Sequence, residues 1–476
     1  MGLRTPDEFL AGLKDERRVY YRGEQVPDVV EHPEIGLAAQ HAATDFRLAE
    51  DPAHRPLAVV DDEGEPYSAY FRIPRSPEHL AARSKLIETA TSEGATLVLL
   101  VKEIGTDALF ALMRVLERHG HDEGLERVRA FHRTCMADDL ALAVAQTDVK
   151  GDRSKRPSQQ EDPDLYLRVV DRTDEGIVVR GAKAHTSYTP VVDNVIVLPS
   201  RSMQADDADW SVAFQVPADT EGLTMYTSDF LDGGQHPWTH PVSARHKMVE
   251  TLTVFDDVFV PWENVFYDGE PEIAGDTALT FVEYHRFTAV SYKLPLLDAF
   301  VGAAVAIAQA NGILGASHVR DKLTWLAGYA ETVRGLVELA AQRGQTENGI
   351  AYPDVFTTNL AKWTFARDFH EAMEAVQDLA GGLLVTGPAG QDWESEQVRP
   401  VLDKYLAAAW PAEDRMAMMN LISDLTARLY GGYQAVLAIH AEGSVEAEKL
   451  AMFRAYDPSE VLAYVKRLAG IGKAAS

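Results

Sequence analysis

The sequence predicts a mainly α-helical protein with a central β domain, in three consecutive parts over 476 residues. From about 36 to 145, apolar residues recur mostly three and four positions apart, as on the buried face of a helix. From about 160 to 268 they alternate, as in half-buried strands, and the helical spacing then returns from Thr277. We therefore expect an N-terminal helical domain over 1–142, a β-barrel domain over 143–272 and a C-terminal helical bundle over 273–476.

The first part opens with a predicted helix over residues 5–18. Thr5 suits the N-cap, Pro6 the first helical position and Glu8 the capping-box position. The stretch LFALMRVLERHG (109–120) keeps the helical spacing and stops at a glycine. The single cysteine, Cys135, excludes an intramolecular disulfide and a thiolate-ligated zinc or iron–sulfur site. We interpret it as a buried small apolar residue.

The central part reads as a series of strands. In LYLRVVDRTDEGIVVRGAKAHTS (165–187), two alternating runs are joined by a turn at DEG. The segments NVIVLPS, WSVAFQVPAD and LTVFDDVFVPWENVF continue this style. The last part contains long helical segments in AFVGAAVAIAQANGILG, in HVRDKLTWLAGYAETVRGLVELAAQR and from Thr358 to Ala380, which indicate a bundle.

Charge and missing motifs exclude several classes of function. The net charge is −28, from 45 Lys and Arg against 73 Asp and Glu, so nucleic acids and anionic membrane surfaces are poor partners. No apolar leader and no stretch of about 18 apolar residues is found, which argues against secretion and membrane spanning and favours the reducing cytoplasm. No GxGxxG or GxxxxGK[ST] motif supports a Rossmann or P-loop nucleotide site.

Five separated motifs carry a family resemblance. They are RRVYYRGEQVPDVVEHP, QTDVKGDRSKRP, GIVVRGAKAHTS, the YHR of Tyr284–Arg286, and HAEGSVEAEKLAMFR. In this order, and over almost the whole chain, they resemble the superfamily of flavin-dependent 4-hydroxyphenylacetate 3-hydroxylases and 4-hydroxybutyryl-CoA dehydratases. The resemblance implies an acyl-CoA dehydrogenase-like architecture, FAD as cofactor, and a homotetramer in which the C-terminal bundle of one subunit reaches the flavin of its neighbour.

In this architecture, the loop after the last N-terminal helix lies against the flavin. Gln146 and Thr147 suit the polar edge of an isoalloxazine ring, while Lys150 and Arg153 suit a phosphate. Gly151 lets the backbone come close to the cofactor. Taken alone, the same string would read as a solvated charged loop.

Two other segments are implied to approach the flavin. In GAKAHTS the resemblance places His185, Thr186 and Ser187 near the reactive ring, where a donor steadies charge on reduced flavin. His185 could equally be a half-buried strand histidine. The glycines of Gly431–Gly432 and of Gly443–Ser444 indicate a close approach in the bundle, with helix-ending glycines as the alternative. The implied cofactor-binding residues are Gln146, Thr147, Lys150, Arg153, His185, Thr186, Ser187, Gly443 and Ser444.

The chain departs from the dehydratase pattern. The dehydratases hold a [4Fe–4S] cluster with three cysteines and a histidine. The matching positions here are Leu100, Ile104, His285 and Tyr292, so one ligand of four remains and we expect no iron–sulfur cluster and no other metal.

The chain departs from the hydroxylase pattern as well. The positions matching the arginine, tyrosine and histidine that grip the phenol are Ile104, Ala108 and Val144. The loop QTDVKGDR itself looks more like that of the dehydratases. The resemblance therefore identifies a divergent member.

The catalytic candidates are His285, Arg286 and Tyr292. His285 suits proton transfer, and Arg286 could lower its pKa or grip an anionic substrate group. Tyr292 follows seven residues later, on the same helical face as His285 if the helix is unbroken. Both side chains could instead cap or pack the helix.

Three functions remain open. The first is a two-component monooxygenase that uses FADH2 on a small aromatic substrate, with reduced flavin from a separate reductase, since no nicotinamide motif is found. The second is a cluster-free FAD lyase, isomerase or dehydrogenase acting on an acyl-CoA-like thioester. The third is a scaffold without flavin, which the intact QTD and HTS segments disfavour.

Overall fold

The N-terminal part folds into helices that enclose an apolar core. The structure, a computed structural model, describes residues 2–61, 65–229 and 235–471. Cys135 is fully buried, as predicted. The helices are α1 (Pro6–Gly12), α2 (Ile35–Ala42), α3 (Thr44–Glu50), α4 (Arg55–Ala58), α5 (Pro77–Glu93), α6 (Glu103–Arg118) and α7 (Asp122–Asp138).

The first helix has the predicted start and an earlier end. Thr5 accepts a hydrogen bond from the Glu8 amide, and the Glu8 side chain closes the capping box, as predicted. The predicted extent of 5–18 is wrong, because α1 ends at Gly12. The β-branched and aromatic residues that follow, Arg18–Tyr21, form a strand instead, paired in parallel with a strand some two hundred residues away.

The strands form two larger sheets and two small hairpin-like pairs. In chain order they are β1 (Arg18–Tyr21), β2 (Glu24–Val26), β3 (Val59–Val60), β4 (Tyr67–Ser68), β5 (Leu142–Ala145), β6 (Arg168–Arg172), β7 (Gly176–Ser187), β8 (Asn194–Val197), β9 (Val212–Pro217), β10 (Leu223–Thr227), β11 (Glu250–Pro261), β12 (Val265–Asp268), β13 (Gln345–Glu347) and β14 (Ile350–Tyr352). The predicted turn between β6 and β7 is confirmed.

The predicted β-barrel is wrong. Within the described residues, one open sheet has six strands in the order β2-β1-β10-β11-β7-β6, and the other has four in the order β12-β9-β8-β5. The two sheets pack face to face, with the rings of Phe214 and Phe255 6.0 Å apart and perpendicular. This packing buries the alternating apolar residues between the two sheets, so the strands need not close into a barrel to bury them. The N-terminal strands β1 and β2 extend the larger sheet.

The C-terminal helices form the bundle. They are α8 (Pro271–Ala310), α9 (Ser317–Gln342), α10 (Val355–Ala380), α11 (Leu383–Thr386), α12 (Gly390–Glu394), α13 (Arg399–Tyr405), α14 (Ala412–Thr426), α15 (Leu429–His440), α16 (Val445–Ala455) and α17 (Ser459–Leu468). The central helix α8 packs against α5, α6, α9, α10 and α14. Among the described helices it alone is long and apolar enough to cross a membrane, but 61% of its most apolar stretch is buried inside the protein, as in a core helix.

Candidate active site

A large cavity lies where the three parts of the chain meet. Its volume is ≈ 1110 Å³, and its walls come from α6, the loop after β5, the ends of β7 and β8, the start of β11, α8 and the turn from α15 to α16. Pockets for small molecules typically measure about 300–1,000 Å³. The cavity therefore has room for a ligand larger than an ordinary metabolite.

The loop after β5 is fixed to β7 by a buried ion pair. The Lys183 ammonium lies 2.8 Å from Asp148 Oδ1, and both side chains are 2% exposed. It also donates to the carbonyl of Gln146 at 3.0 Å, while the Ala184 amide donates to the carbonyl of Thr147 at 2.8 Å. Gln146 and Thr147 are thereby held against the cavity. This anchoring role of Lys183 was not predicted from the sequence.

Three cations line the opening of the cavity. Lys150, Arg153 and Arg201 form no ion pair within 4.0 Å in the part of the chain that the structure describes. Burial, and then the neighbouring arginines, lower the pKa of Lys150. Arg201, just after β8, was not singled out from the sequence. These uncompensated charges suit an anionic group of a ligand.

Gly151 lines the cavity, so its approach to the cofactor stays a prediction, and packing within the loop adds a second reason for a glycine. Its φ is +48°, and a Cβ would lie 2.5 Å from Gln160 Oε1 and 2.6 Å from Leu165 Cδ1. The glycine is thus required by packing within the loop itself. Neighbouring Arg156 is bound to Asp207 and takes no part in the cationic opening.

The end of β7 presents two of its three predicted residues to the cavity. His185, with φ +58°, and Ser187 line it. Thr186 does not, because side chains alternate along a strand: it is fully buried and its hydroxyl lies 2.5 Å from those of Thr251 and Thr253. The structure thus places Thr186 between the strands, away from the cavity.

Glu250 is a site residue that the sequence analysis missed. Ser187 Oγ donates to Glu250 Oε1 at 2.9 Å, and the Tyr433 hydroxyl lies 3.3 Å from the same atom. Burial raises the pKa of Glu250 to about 7, against the opposing effect of the Ser187 and Tyr433 hydrogen bonds. The other carboxyl oxygen, Oε2, is buried and has no hydrogen bond to any described residue. A carboxyl group that titrates near neutrality therefore faces the cavity.

On α8, the predicted shared face is confirmed. The helix is unbroken from Pro271 to Ala310, and both His285 and Tyr292 line the cavity. His285 stacks on Phe281 with ring centroids 5.1 Å apart, and burial lowers its pKa. Its Nδ1 lies 3.8 Å from Asp107 Oδ2, and neither atom has a hydrogen-bond partner among the residues that the structure describes.

Arg286 points away from His285, as neighbouring helical residues do. Its guanidinium donates to Asn359 Oδ1 at 2.7 Å and to the Glu442 carbonyl at 3.1 Å. Burial has the largest effect on the pKa of His285, and it lowers it. The charge of Asp107 raises this pKa, and those of Lys293 and Lys362 lower it. Arg286 is not among the groups that shift the pKa of His285, so the predicted lowering of that pKa by Arg286 is not found.

The turn from α15 to α16 closes the cavity beside Arg286. Gly443, at φ +107°, leaves room for Arg286, whose Nη2 would lie 2.8 Å from a Cβ. Ser444 caps α16 by accepting from the Ala447 amide at 3.3 Å. Of the earlier glycine pair, a Cβ added to Gly431 would lie 2.6 Å from the backbone carbon of Thr426, so the backbone approaches closely there.

Of the six positions that the resemblance matches to cluster or phenol ligands, His285 and Tyr292 are polar and the other four are apolar. Leu100, Ile104 and Val144 line the cavity, while Ala108 is fully buried behind it. In the described ranges, no three His, Cys, Asp or Glu residues are arranged to hold a metal ion.

Comparison with known proteins gives a consistent result. The family models "4-hydroxyphenylacetate 3-hydroxylase N terminal" and "C terminal" match residues 5–267 and 274–470. The chain is 30% identical to the 4-hydroxyphenylacetate 3-monooxygenase oxygenase component of Thermus thermophilus, over 90% of each chain. It is 29% identical to the 4-hydroxybutyryl-CoA dehydratase/vinylacetyl-CoA-Δ-isomerase of Clostridium aminobutyricum, over 98% of this chain and 100% of that one.

Solved structures support the fold. The oxygenase component of 4-hydroxyphenylacetate 3-monooxygenase, crystallised with FAD, superimposes with a TM-score of 0.91 at 27% identity, over 98% of each chain. Butyryl-CoA dehydrogenase from Megasphaera elsdenii matches with a TM-score of 0.52 at 15% identity, over 94% of this chain and 97% of that one. The predicted acyl-CoA dehydrogenase-like fold is confirmed at this level.

Proposed function

We propose that this chain, which belongs to the 4-hydroxyphenylacetate 3-hydroxylase family, is the oxygenase component of a two-component flavin-dependent monooxygenase. The observation that carries the proposal is the large cavity, which combines a cationic opening, a polar loop and a neutral histidine. Reduced flavin comes from a separate reductase. Overall, FADH2, O₂ and a small aromatic substrate yield the hydroxylated substrate, water and FAD.

The residues around the cavity fit FAD. Its volume accommodates an isoalloxazine ring together with a substrate, and Lys150, Arg153 and Arg201 offer positive charge to the pyrophosphate. Gln146, Thr147, His185 and Ser187 supply hydrogen-bonding groups for the ring. Bound FADH2 supplies the electrons that activate oxygen.

The substrate-facing residues are those of α8. We infer that His285 holds or moves a proton at the reacting oxygen of the substrate, and that Tyr292 offers its hydroxyl beside it. Burial keeps His285 neutral at neutral pH, because it lowers the pKa of the imidazole. Gly443 and Ser444 shape the adjoining wall, and Arg286 positions their turn.

We predict that replacing Thr147 or Ser187 by alanine weakens FADH2 binding by about 1 kcal/mol or more, the usual scale for one lost buried hydrogen bond. Thr186→Ala is the matched control, since its hydroxyl bonds to β11 outside the cavity. Anaerobic titration of each variant measures the effect. Unchanged affinity in both cavity variants contradicts the assignment.

We predict a pH dependence from Glu250. Because its pKa is raised to about 7, the carboxyl is neutral below pH 7 and negative above it. The anionic FAD then binds more weakly as pH rises from 6 to 8, by roughly two- to tenfold, or about 0.4–1.4 kcal/mol. Glu250→Gln, which cannot ionise, flattens this profile. Fluorescence titration of FAD at several pH values measures the affinity. If Glu250→Gln shows the same pH dependence as the wild type, Glu250 is not the titrating group.

The test of the reaction is the product. With FADH2 supplied by a reductase under ¹⁸O₂, mass spectrometry of a phenolic substrate panel is expected to show one added ¹⁸O atom. Oxygen consumption that yields only hydrogen peroxide with every phenol contradicts a hydroxylase.

A second function is favoured by one observation. The similarity to the dehydratase extends over 98% of this chain. This suits a cluster-free FAD lyase, isomerase or dehydrogenase that acts on an acyl-CoA-like thioester. Turnover of such a thioester without oxygen would support it.

We infer a homotetramer from the C-terminal helices. All residues from Phe453 to Ile471 are exposed, so α17 lies on the outside of the fold. Its Val461, Leu462, Val465 and Leu468 are 46–68% exposed, which is unusual for apolar side chains unless another surface covers them. A second copy of the chain supplies that surface, and the bundle thereby reaches the neighbour's flavin.

Light scattering tests the assembly. We expect a mass about four times the 52.4 kDa of the chain, and a smaller one for Leu462→Asp with Leu468→Asp. A monomeric wild type with full flavin affinity rules the proposal out.

We further infer the three-domain division 1–142, 143–272 and 273–476, and a cytoplasmic location. The start of α8 at Pro271 and the change from helix to strand at β5 support the two boundaries. The one thiol, Cys135, is free and buried, which suits a reducing compartment.

A further inference from the structure

We propose that Asp107 is a positioning residue that keeps the proton of His285 on Nδ1, so that Nε2 faces the cavity as a proton acceptor. The inference rests on the proposed function, because it specifies the form in which His285 takes part in the reaction. It is carried by two buried polar atoms, Asp107 Oδ2 and His285 Nδ1. They lie 3.8 Å apart, and neither has a hydrogen-bond partner among the described residues.

The helices that carry the two groups are held together beside them. Arg114 of α6 donates to Glu283 of α8 at 2.8 Å. The rings of Phe110 on α6 and Tyr284 on α8 meet edge to face, with their centroids 6.0 Å apart. The fold itself therefore sets the positions of the carboxylate and the imidazole.

Arg83 of α5 fixes the carboxylate of Asp107. Its Nη2 donates to Asp107 Oδ1 at 2.8 Å, and the same guanidinium donates to the carbonyls of Tyr70 and Glu103 at 3.2 and 2.7 Å. The side chains of the Arg83–Asp107 pair are 5% and 0% exposed. Because Oδ1 is occupied in this way, Oδ2 is the oxygen that remains for α8.

The Asp107 carboxylate selects one tautomer of His285. An ionised carboxylate only accepts hydrogen bonds, so it favours the imidazole that carries its proton on Nδ1. Phe281 stacks on the ring with centroids 5.1 Å apart and holds its plane. Since Nε2 lies on the other side of the ring, its lone pair is presented to the cavity that the imidazole lines. A movement of about 1 Å shortens the gap to a hydrogen bond.

Asp107 also opposes the other influences on His285. Burial lowers the pKa of His285, the hydrogen bond and the charge of Asp107 raise it, and Lys293 of α8 and Lys362 of α10 lower it. The carboxylate thus supports a protonated ring in a setting that disfavours one.

The proton step follows from this arrangement. Nε2 takes the proton of the substrate hydroxyl, the O–H bond breaks, and its electron pair stays on the oxygen. The imidazolium that forms is stabilised by Asp107, which itself takes no proton. Asp107 acts only through His285, so it is a positioning residue.

The test measures which nitrogen of His285 is free. Diethyl pyrocarbonate acylates an imidazole nitrogen that has a lone pair, and peptide mass spectrometry after brief exposure of the flavin-free protein at pH 7 assigns each modified histidine. In Asp107→Asn, Arg83 retains the amide oxygen, so the NH2 group faces Nδ1 and moves the proton to Nε2. We expect acylation of His285 to fall about 10–100-fold. Exposed His318 is the internal reference in the same digest.

Asp139→Asn is the matched control. Asp139 is as deeply buried and loses the same kind of ion pair, with Lys102 at 2.7 Å, but it is not among the described residues that line the cavity. Acylation of His285 is expected to stay at the wild-type level. An unchanged rate in Asp107→Asn, or an equal fall in both variants, overturns the inference.

Turnover provides a second readout. Asp107→Asn is expected to lower kcat by about 10–100-fold with little change in the KM for a phenol. It is expected to cause no further loss when His285→Ala is already present. Losses that multiply contradict a role through His285.

The wild type decides if Asp107→Asn does not fold. In its crystal structure with FAD, we expect Asp107 Oδ2 and His285 Nδ1 to lie within about 3.2 Å, and a longer distance overturns the inference. The acylation experiment needs neither flavin nor substrate. If no phenol is hydroxylated while acylation responds as expected, the proposed function fails and the role of Asp107 stands.

Discussion

Replacing His285 by alanine is expected to lower turnover by about 10²–10⁴-fold, the usual contribution of a positioned proton-transfer group. Flavin affinity and melting temperature are expected to change little. The imidazole lines an existing cavity, and its Nδ1 has no hydrogen bond within the described part of the chain, so its removal deprives no described residue of an Nδ1 hydrogen bond. Steady-state rates at saturating FADH2 and a thermal melt measure the two effects.

His132→Ala is the matched control. His132 is also buried, but it lies outside the cavity and bonds through Nε2 to the Phe71 carbonyl at 2.8 Å. Its loss is expected to lower the melting temperature and to leave the rate per folded molecule unchanged. If His285→Ala behaves in this way, His285 is a packing residue and the proposed mechanism is wrong.

Replacing Lys183 by methionine is expected to destabilise the protein by about 3–5 kcal/mol, because it leaves the Asp148 carboxylate buried without its cation. The ammonium also holds the carbonyls of Gln146 and Leu198, so the loop after β5 loses its attachment to β7. FADH2 affinity falls with it, even at temperatures where the variant is folded. Denaturant unfolding and anaerobic titration measure the two losses.

Lys150→Met makes the same change in the loop after β5 itself, at a half-buried lysine that forms no ion pair within the described residues. It is expected to change the free energy of unfolding by no more than about 0.5 kcal/mol while still weakening FADH2 binding. Equal stability losses in the two variants would contradict the anchoring role of Lys183.

Sequence patterns correctly predicted the features that depend on residues close together in the chain. The capping box of Thr5 and Glu8, the turn before β7 and the unbroken face that carries His285 and Tyr292 each depend on residues close in sequence. Spacing alone therefore specifies them.

Features that depend on contacts between distant segments could not be predicted from these patterns. The short strand β1 is stabilised by pairing with β10, so its sequence read as part of a helix and a turn. The separation into two packed sheets, in place of a barrel, likewise depends on strand order.

Some site residues were not predicted for the same reason, because their roles depend on contacts between distant segments. Glu250 opens an ordinary alternating strand, and only burial beside Ser187 and Tyr433 makes it titrate near neutrality. Lys293 and Glu442 are 149 positions apart and meet only in the folded bundle. Arg201 joins Lys150 at the cavity opening in the same way.

The reaction of bound FADH2 with oxygen tests the monooxygenase assignment most directly. The protein is loaded with FADH2 under anaerobic conditions, oxygen is mixed in by stopped flow, and the visible absorbance of oxidised FAD is followed. We predict that this absorbance returns after a clear lag and at least tenfold more slowly than with free FADH2, because the cavity retains the oxygen adduct until a substrate takes the oxygen. Return at the rate of free FADH2, or tight binding of oxidised FAD together with thioester turnover in the absence of oxygen, would contradict it.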